Sequence, residues 1–316
     1  MPGGVIARLA QRHDLAVPAL IVAVLCFSSG STVVRKIGGS GVTIACYRSL
    51  VAAVIWQLIM ARQGRRLSWQ LIRRAGPLGV LFGMNMTCFF VGVTKTSVAS
   101  AELIATLTSF IVMPAGAWLY RERIPWKALP WGLGAFAGVL LVLLNKPANG
   151  RSSWAGNGLI LCATCLWAGY LLASKRIRRD VAIADLMATI NLCSGVILLP
   201  LVALRHDFGS IPVSGLGWFC VVVLTGGVIG HTCILIAQRS LPLGTISTTQ
   251  VMQPALAVVS AYIFLGEGLR PWQIVGIAVV LASMLAFVRT AHRTAVSRID
   301  PSFRALSTPE PELPTV

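Results

Sequence analysis

Ala99–Tyr120 reads ASAELIATLTSFIVMPAGAWLY, an apolar stretch with one charged residue, Glu102. Ile246–Leu265 reads ISTTQVMQPALAVVSAYIFL, with none. A bilayer core takes about 20 apolar residues per helix, so each stretch is long and apolar enough to cross one. Eight further windows of this kind recur: Val17–Val34, Thr43–Ala61, Gly76–Val93, Ala128–Asn145, Trp154–Ser174, Ala184–Leu204, Gly215–Ala237 and Pro271–Phe287. In chain order these are runs 1 to 10, with Ala99–Tyr120 as run 4 and Ile246–Leu265 as run 9. They predict an all-α integral membrane protein with ten transmembrane helices.

Composition agrees with that reading. Hydrophobic residues make up 56% of the chain and charged residues 12%, and the mean hydropathy is +0.78. Soluble domains carry about 25% charged residues, so a soluble globular protein is excluded, and a disordered chain with it. The net charge of +17 does not point to nucleic acid, because the basic residues punctuate long apolar runs instead of forming one soluble face. Sorted by the loops between ten spans, 19 Lys and Arg fall on the side holding both termini and 7 on the other, with Arg48 inside run 2. Positive charge favours the cytoplasmic side, which predicts N-in and C-in. Run 1 is followed by nine others and has no small-residue cleavage site beside it, so it reads as a span and not as a removed signal peptide. Residues 1–14 read as a short cytoplasmic N-terminus. Residues 290–316, with Pro301, Pro309, Pro311 and Pro314, read as a disordered cytoplasmic tail.

The eight cysteines all lie in apolar stretches and read as small buried hydrophobes. Cys162-x-x-Cys165 has metal or redox spacing, but no second pair completes a zinc site. No metal, no cofactor and no catalytic residue is expected.

The two halves resemble each other. Cys26-x-x-x-Gly30 with Lys36 recurs as Cys165-x-x-x-Gly169 with Lys175 at an offset of 139. Gly79-x-x-x-Gly83 recurs as Gly226-x-x-x-Gly230 at 147. Arg121-Glu122 matches Gly266-Glu267 at 145, and Pro125-Trp126 matches Pro271-Trp272 at 146. The shared order and nearly constant offset indicate duplication. The expected units are residues 15–147 and 152–289, with five spans each. An odd number of spans inverts the second copy, and two inverted copies enclosing a midplane site are a common architecture of secondary transporters.

With these residues in view, the chain resembles the EamA-type family of the drug/metabolite transporter superfamily over nearly its whole length. The resemblance is carried in the first half by Arg48-Ser-Leu-Val-Ala-Ala, Thr94-Lys-Thr-Ser-Val-Ala-Ser-Ala and Tyr120-Arg-Glu-Arg-Ile. In the second half it is carried by Trp167-Ala-Gly-Tyr170, Gln253-Pro254 and Leu265-Gly-Glu-Gly-Leu. It implies a ten-helix, two-repeat fold that moves small metabolites, often outward and without ATP; the chain holds no G-x-x-x-x-G-K-[ST] phosphate loop. Two positions depart from the family pattern. Ser28 stands where run 1 usually has Trp, and Ser109 stands where run 4 usually has Pro. Substrate choice therefore cannot be copied from one relative.

Ionisable groups inside a membrane are functional candidates by default. Arg48 and Glu102 sit at similar depth, each a few residues into an outside-to-inside run. They are expected to form an ion pair, either a static one or an outer gate with Glu102 as a proton site. His231, within a Gly-rich stretch of run 8, is a second proton-coupling candidate or a hydrogen-bonded interior histidine. Asp185 reads as an interface residue. Glu102, Thr106 and Ser109 share one helical face of run 4, and Ser247, Gln250 and Gln253 approximately share one of run 9. Pro254 frees a backbone carbonyl one turn earlier. The two polar stripes are expected to face each other across a cavity, with interhelical hydrogen bonding as the alternative. Trp167 and Tyr170 are candidates to stack on an apolar part of a ligand. Asn85 and Asn191 are weaker candidates. The Gly-x-x-x-Gly pairs, including Gly134 and Gly138, read as helix-packing faces, Trp126 and Trp272 as interfacial anchors, and Glu122 and Glu267 as loop-bonding residues.

These readings predict a secondary transporter in the plasma (bacterial inner) membrane, exporting small polar or amphipathic metabolites such as amino acids. Its partners would be a small-molecule substrate and the lipid bilayer, with homo-oligomerisation open. Uptake, lipid-linked substrate flipping, a membrane scaffold and an integral membrane enzyme are the alternatives. The enzyme reading would need paired acids, or a nucleophile with a base, at shared depth.

Overall fold

A computed structural model describes residues 15–96, 98–122, 126–127, 129–144, 153–178, 180–265 and 270–296. Residues 1–14, Glu267 with the rest of the Gly-Glu-Gly stretch, and the tail beyond 296 lie outside them. The described part is helical, with no strand. In order the elements are α1 (Ala16–Ser28), α2 (Gly30–Ile37), α3 (Gly41–Arg62), α4 (Trp69–Lys95), α5 (Val98–Thr106) and α6 (Thr108–Tyr120). There follow α7 (Leu129–Leu144), α8 (Trp154–Ile177), α9 (Ile183–Leu204), α10 (Leu216–Val222) and a π-helical segment at Val223–Gly230. The chain then runs through α11 (His231–Ser240), α12 (Leu243–Gln250), α13 (Gln253–Leu265) and α14 (Pro271–Val296).

Six stretches are long and apolar enough to cross a membrane: Ala16–Ile37, Gly41–Arg62, Trp69–Lys95, Trp154–Ile177, Ile183–Leu204 and Val213–Ser240. They cover runs 1–3 and 6–8. Runs 4 and 9 are each broken in the middle, into α5 with α6 and α12 with α13. The outward surface is apolar, with Leu25, Val54, Leu58, Trp118, Leu204 and Ile263 all exposed, as lipid contact requires and water would penalise. Together these features make a multi-pass membrane protein.

Local chemistry explains the ends and the breaks. The Ser68 hydroxyl accepts from Leu71 N at 3.2 Å at the start of α4, and Ser153 accepts from Gly156 N at 2.9 Å at the start of α8, supplying an acceptor to otherwise unpaired first-turn donors. Trp69, Trp154 and Trp272 stand exposed at helix starts, and Trp126 stands exposed just before α7. Run 1 breaks at Ser29. There Ser28 and Ser29 donate back to the carbonyls of Leu25 (2.8 Å) and Cys26 (3.1 Å), a competition with the helix ladder that bends helices. Ser260 on α13 donates to the Ser28 carbonyl at 3.5 Å and pairs with Thr32 at 3.0 Å.

Packing is densest between α3 and α9, α4 and α8, and α7 and α14, with α4 and α9 next. Small residues allow these approaches. A Cβ on Gly79 would lie 2.6 Å from Cys193 Cβ, and one on Gly83 2.9 Å from Ser194 Oγ, both on α9. A Cβ on Gly134 would lie 2.9 Å from Ser283 Oγ, and one on Gly138 2.8 Å from Val280. α1 packs on α11 and the π segment, α2 on α10, and α12 on α6. One expectation is corrected here. Cys46 is buried, but Cys162, Cys165 and Cys220 are exposed and all eight thiols are free. A cysteine is apolar enough to face outward on a surface that is itself apolar.

Candidate functional site

The broken helices meet at a cavity of about 130 Å³, close to the ~150 Å³ of an engineered cavity that takes up benzene. Its walls come from runs 1–4, 6, 8 and 9. Run 4 supplies Glu102, Ala105, Thr106, Thr108 and Ser109, and run 9 supplies Ser247, Gln250, Val251, Gln253 and Pro254. The two sets correspond one to one, at the same offset that relates Arg121-Glu122 to Gly266-Glu267.

The breaks themselves correspond in the same way. Leu107 N reaches the Ile104 carbonyl at 3.1 Å, and Met252 N the Thr249 carbonyl at 3.3 Å. Both are tight i to i−3 turns that replace one step of the α-helical ladder. In run 9 the cause is visible in the sequence, since Pro254 has no N–H to give the Gln250 carbonyl. In run 4 Ser109 stands at that position, and its hydroxyl donates to the Ser247 carbonyl at 2.6 Å. That bond ties the two broken helices together beside the cavity.

At one end the pair is tied again. Arg121 adopts a left-handed backbone, φ 52°, which ends α6 and turns Glu122 toward α12. Glu122 accepts the Leu243 backbone N–H at 2.7 Å, at the N-terminus of α12, and pairs with Lys175. A carboxylate on a helix N-terminus is favoured by the unpaired donors and the helix dipole. Glu122 is thus a loop-bonding residue, as its position after run 4 indicates. On the same flank Arg65 pairs with Asp185, and Arg74 with Asp180 at 3.1 Å. Arg178 is buried, donates to the Leu235 and Val181 carbonyls at 3.2 Å each, and is lowered by burial to about 10. At the opposite end the 205–212 loop clamps the start of α3. Thr43 donates to the Asp207 carbonyl at 3.1 Å and Tyr47 to the Phe208 carbonyl at 2.8 Å. Arg205, hydrogen-bonded to Asp207, holds that half-buried carboxyl below its ordinary range.

Of the residues singled out in the sequence, Arg48, Glu102, Thr106, Ser109, Trp167, His231, Ser247, Gln250 and Gln253 line the cavity. Tyr170 does not. It is fully buried and stacked behind Trp167, with ring centroids 5.1 Å apart and planes at 13°. Trp167 and Tyr170 lie one turn apart on one helix face, so the outer ring of the pair meets the cavity and the inner ring supports it. Trp167 Nε1 donates to Gln250 Oε1 at 3.3 Å, while Gln250 Nε2 has no partner. Asn85 also lines the cavity and donates to the Ala163 carbonyl at 2.7 Å, leaving its own Oδ1 unpaired. Asn191 instead bonds within its own helix, to the Met187 carbonyl.

The expected Arg48–Glu102 ion pair is not formed. Equal depth does not fix which way a helix face points, and Arg48 on α3 turns to the π segment of run 8. There its guanidinium carbon stands 5.5 Å from the centre of the Phe82 ring, and Nη2 is 3.4 Å from His231 Nδ1. Glu102 is buried on the run 4 wall and faces Ser31. Two π-segment glycines make room for Arg48. A Cβ on Gly226 would lie 3.1 Å from Nη2, and one on Gly227 3.2 Å from Ala52 Cβ. The rings of Phe27 and Phe82 both stand edge-on to His231 at 4.7 Å. Phe27 and Phe82 carry no signal in the sequence that separates them from other apolar residues of their runs.

The EamA-like transporter family model matches twice, over residues 14–144 and 154–289. The chain belongs to the EamA-like transporter family. Among its relatives is the threonine/homoserine exporter RhtA of Escherichia coli (strain K12), 25% identical over 288 residues, which span 88% of this chain and 93% of RhtA. The uncharacterized transporter YwfM of Bacillus subtilis (strain 168) is 24% identical, covering 84% of this chain and 92% of its own. The pseudopaline exporter CntI of Pseudomonas aeruginosa (strain UCBPP-PA14) is 26% identical over 153 residues, 46% of this chain and 54% of its own. A crystal structure 16% identical in sequence superposes with a TM-score of 0.70, covering 89% of this chain and 99% of that one. That likeness speaks to the fold.

Proposed function

We propose that this EamA-family protein is a secondary transporter that exports small metabolites, such as amino acids or related amphipathic compounds. It works by alternating access between two inverted five-helix repeats, residues 15–147 and 152–289, with ten spans and both termini in the cytoplasm of a bacterial inner membrane. The observation that carries this reading is the paired break. Runs 4 and 9 are interrupted at equivalent positions, Leu107 and Met252, and five lining positions on each correspond one to one across the cavity. Discontinuous helices meeting at a midplane site are how transporter folds expose backbone polar groups to a substrate while the rest of the helix stays satisfied.

The packing supports a pair of repeats related by two-fold exchange. α3 packs on α9 and α7 on α14, pairs that exchange with themselves when the halves are swapped. α4 on α8 exchanges with run 8 on run 1. The names of RhtA and CntI, both exporters, support the outward direction. The chemistry of the wall fits a small amphipathic cargo. Trp167 offers a flat apolar face, and Gln250, Gln253 and Thr106 offer hydrogen bonds. No cofactor or nucleic-acid partner enters the mechanism, which needs only the substrate and the bilayer; self-association is compatible with it.

Counterflow tests the reading. Proteoliposomes preloaded with unlabelled cargo should accumulate the matching labelled amino acid or amine, and Gln250→Ala should lower that accumulation about tenfold. Equal signals with and without protein across the panel would defeat it.

A further inference from the structure

Arg48 is 1% exposed and lines the cavity, yet its guanidinium has no acceptor. Nε and Nη1 have no partner. Nη2 has one close neighbour, His231 Nδ1 at 3.4 Å, and that nitrogen is already engaged with the Gly226 carbonyl. A carbonyl oxygen only accepts, so Nδ1 must carry the proton that bonds it. A protonated Nδ1 cannot also accept from Arg48. The five donors of the guanidinium therefore have no acceptor among the described residues, and the Phe82 ring supplies only a soft face. No carboxylate pairs with Arg48 among the described residues. A buried charge without compensation is among the least favourable arrangements in a protein. This one is held in place by Gly226, where any side chain would crowd Nη2.

We infer that the Arg48 guanidinium is the anion receptor of the cavity, and that the cargo carries a carboxylate which docks on it. The planar fork of Arg matches two carboxylate oxygens at once. His231 stands beside the fork with its Nδ1–H turned away to Gly226. The remainder of the cargo then lies toward Trp167, Gln250 and the run 4 wall, where Glu102 stands apart from Arg48 and leaves the guanidinium free for the ligand. This inference deepens the transporter reading and rests on it.

The test separates binding from transport. Purified protein is heated with each standard amino acid and, for every one that stabilises it, with the matching amide, decarboxylated amine and deaminated acid; a phosphate monoester completes the panel. Carboxylate-bearing compounds should raise the melting temperature and their amides and amines should not. Arg48→Gln should lose the shift more than tenfold in ligand concentration, and Arg48→Lys should recover part of it. Because Arg48→Gln removes an uncompensated charge, it should fold, which gel filtration checks; should it not fold, Arg48→Lys carries the comparison. Stabilisation by amides or amines as strong as by acids, by phosphate monoesters alone, or by no acid at all would overturn the inference. Counterflow of the same panel keeps the two readings apart. Accumulation blind to the carboxylate overturns the receptor and leaves the transporter, whereas carboxylate-dependent binding without counterflow overturns the transporter and leaves the receptor.

Discussion

Runs 4 and 9 share a backbone and differ in chemistry. Both break at the same place in their repeat, and both present five positions to the cavity. On run 4 those positions hold Glu, Ala, Thr, Thr and Ser, and on run 9 Ser, Gln, Val, Gln and Pro. The break survives with proline on one side and serine on the other. Its location is therefore a property of how the two helices cross, and proline reinforces it on one side only. The side chains are where the two halves have become different, and an asymmetric wall is what an asymmetric cargo needs.

The largest effect should come from the tie between the two elements. Glu122→Ala removes a carboxylate that caps α12 and pairs with Lys175. Hydrogen bonds to charged groups contribute about 1.5–3 kcal/mol, so the melting temperature should fall by roughly 3–10 °C. An unchanged melting temperature would mean the broken helices do not depend on each other there.

The next variant asks whether the wall is functionally symmetric. Gln250→Ala should lower counterflow about tenfold, equivalent to about 1.4 kcal/mol. Adding Ala105→Gln puts the amide at the corresponding position of run 4, and activity should not return, because Trp167 finds its acceptor on run 9. Recovery in the double variant would show that the two sides are interchangeable.

A smaller effect is expected at the break itself. Pro254→Ala restores an N–H that can bond the Gln250 carbonyl and straighten run 9. Counterflow should fall about threefold to fivefold, roughly 0.7–1 kcal/mol, with no loss of thermal stability. The smallest effect sharpens the comparison most. Ser109→Pro and Ser109→Ala both lose the bond to the Ser247 carbonyl, a loss of about 1 kcal/mol. They should be equal within about 0.5 kcal/mol in urea or thermal unfolding, since residue 109 stands where run 9 already accepts proline. A far less stable Ser109→Pro would show that the two breaks are only superficially alike.

Much of this was legible before the fold was known. Apolar length located the helices, and shared helical spacing placed Thr106, Gln250 and Gln253 on faces that do meet one cavity. Pro254 announced the break in run 9. The break in run 4 had no such signal, because Ser109 is compatible with an unbroken helix and only the crossing with run 9 bends it there. The Arg48–Glu102 pairing failed for a related reason. Position along a helix gives depth, but the direction a side chain takes around the axis depends on which neighbour packs where. Arg48 follows the space opened by Gly226 and Gly227, and a run of glycines in sequence reads equally well as a plain packing face. Tyr170 lies on the same helix face as Trp167, and nothing in its spacing tells the exposed ring from the one behind it.

The acceptorless guanidinium of Arg48 also has an electrical consequence. An elementary charge that crosses a full membrane potential of about 100 mV changes energy by about 2.3 kcal/mol. On the carrier reading proposed above, the empty site would carry the whole charge of Arg48; a purely anionic carboxylate would cancel it, whereas a zwitterionic amino acid would leave the loaded site as charged as the empty one. Voltage would then bear on the return of the empty carrier alone for an anionic cargo, and on both steps for a zwitterionic one. The membrane potential would meter the turnover of the protein without ever acting on the docked carboxylate as a free charge.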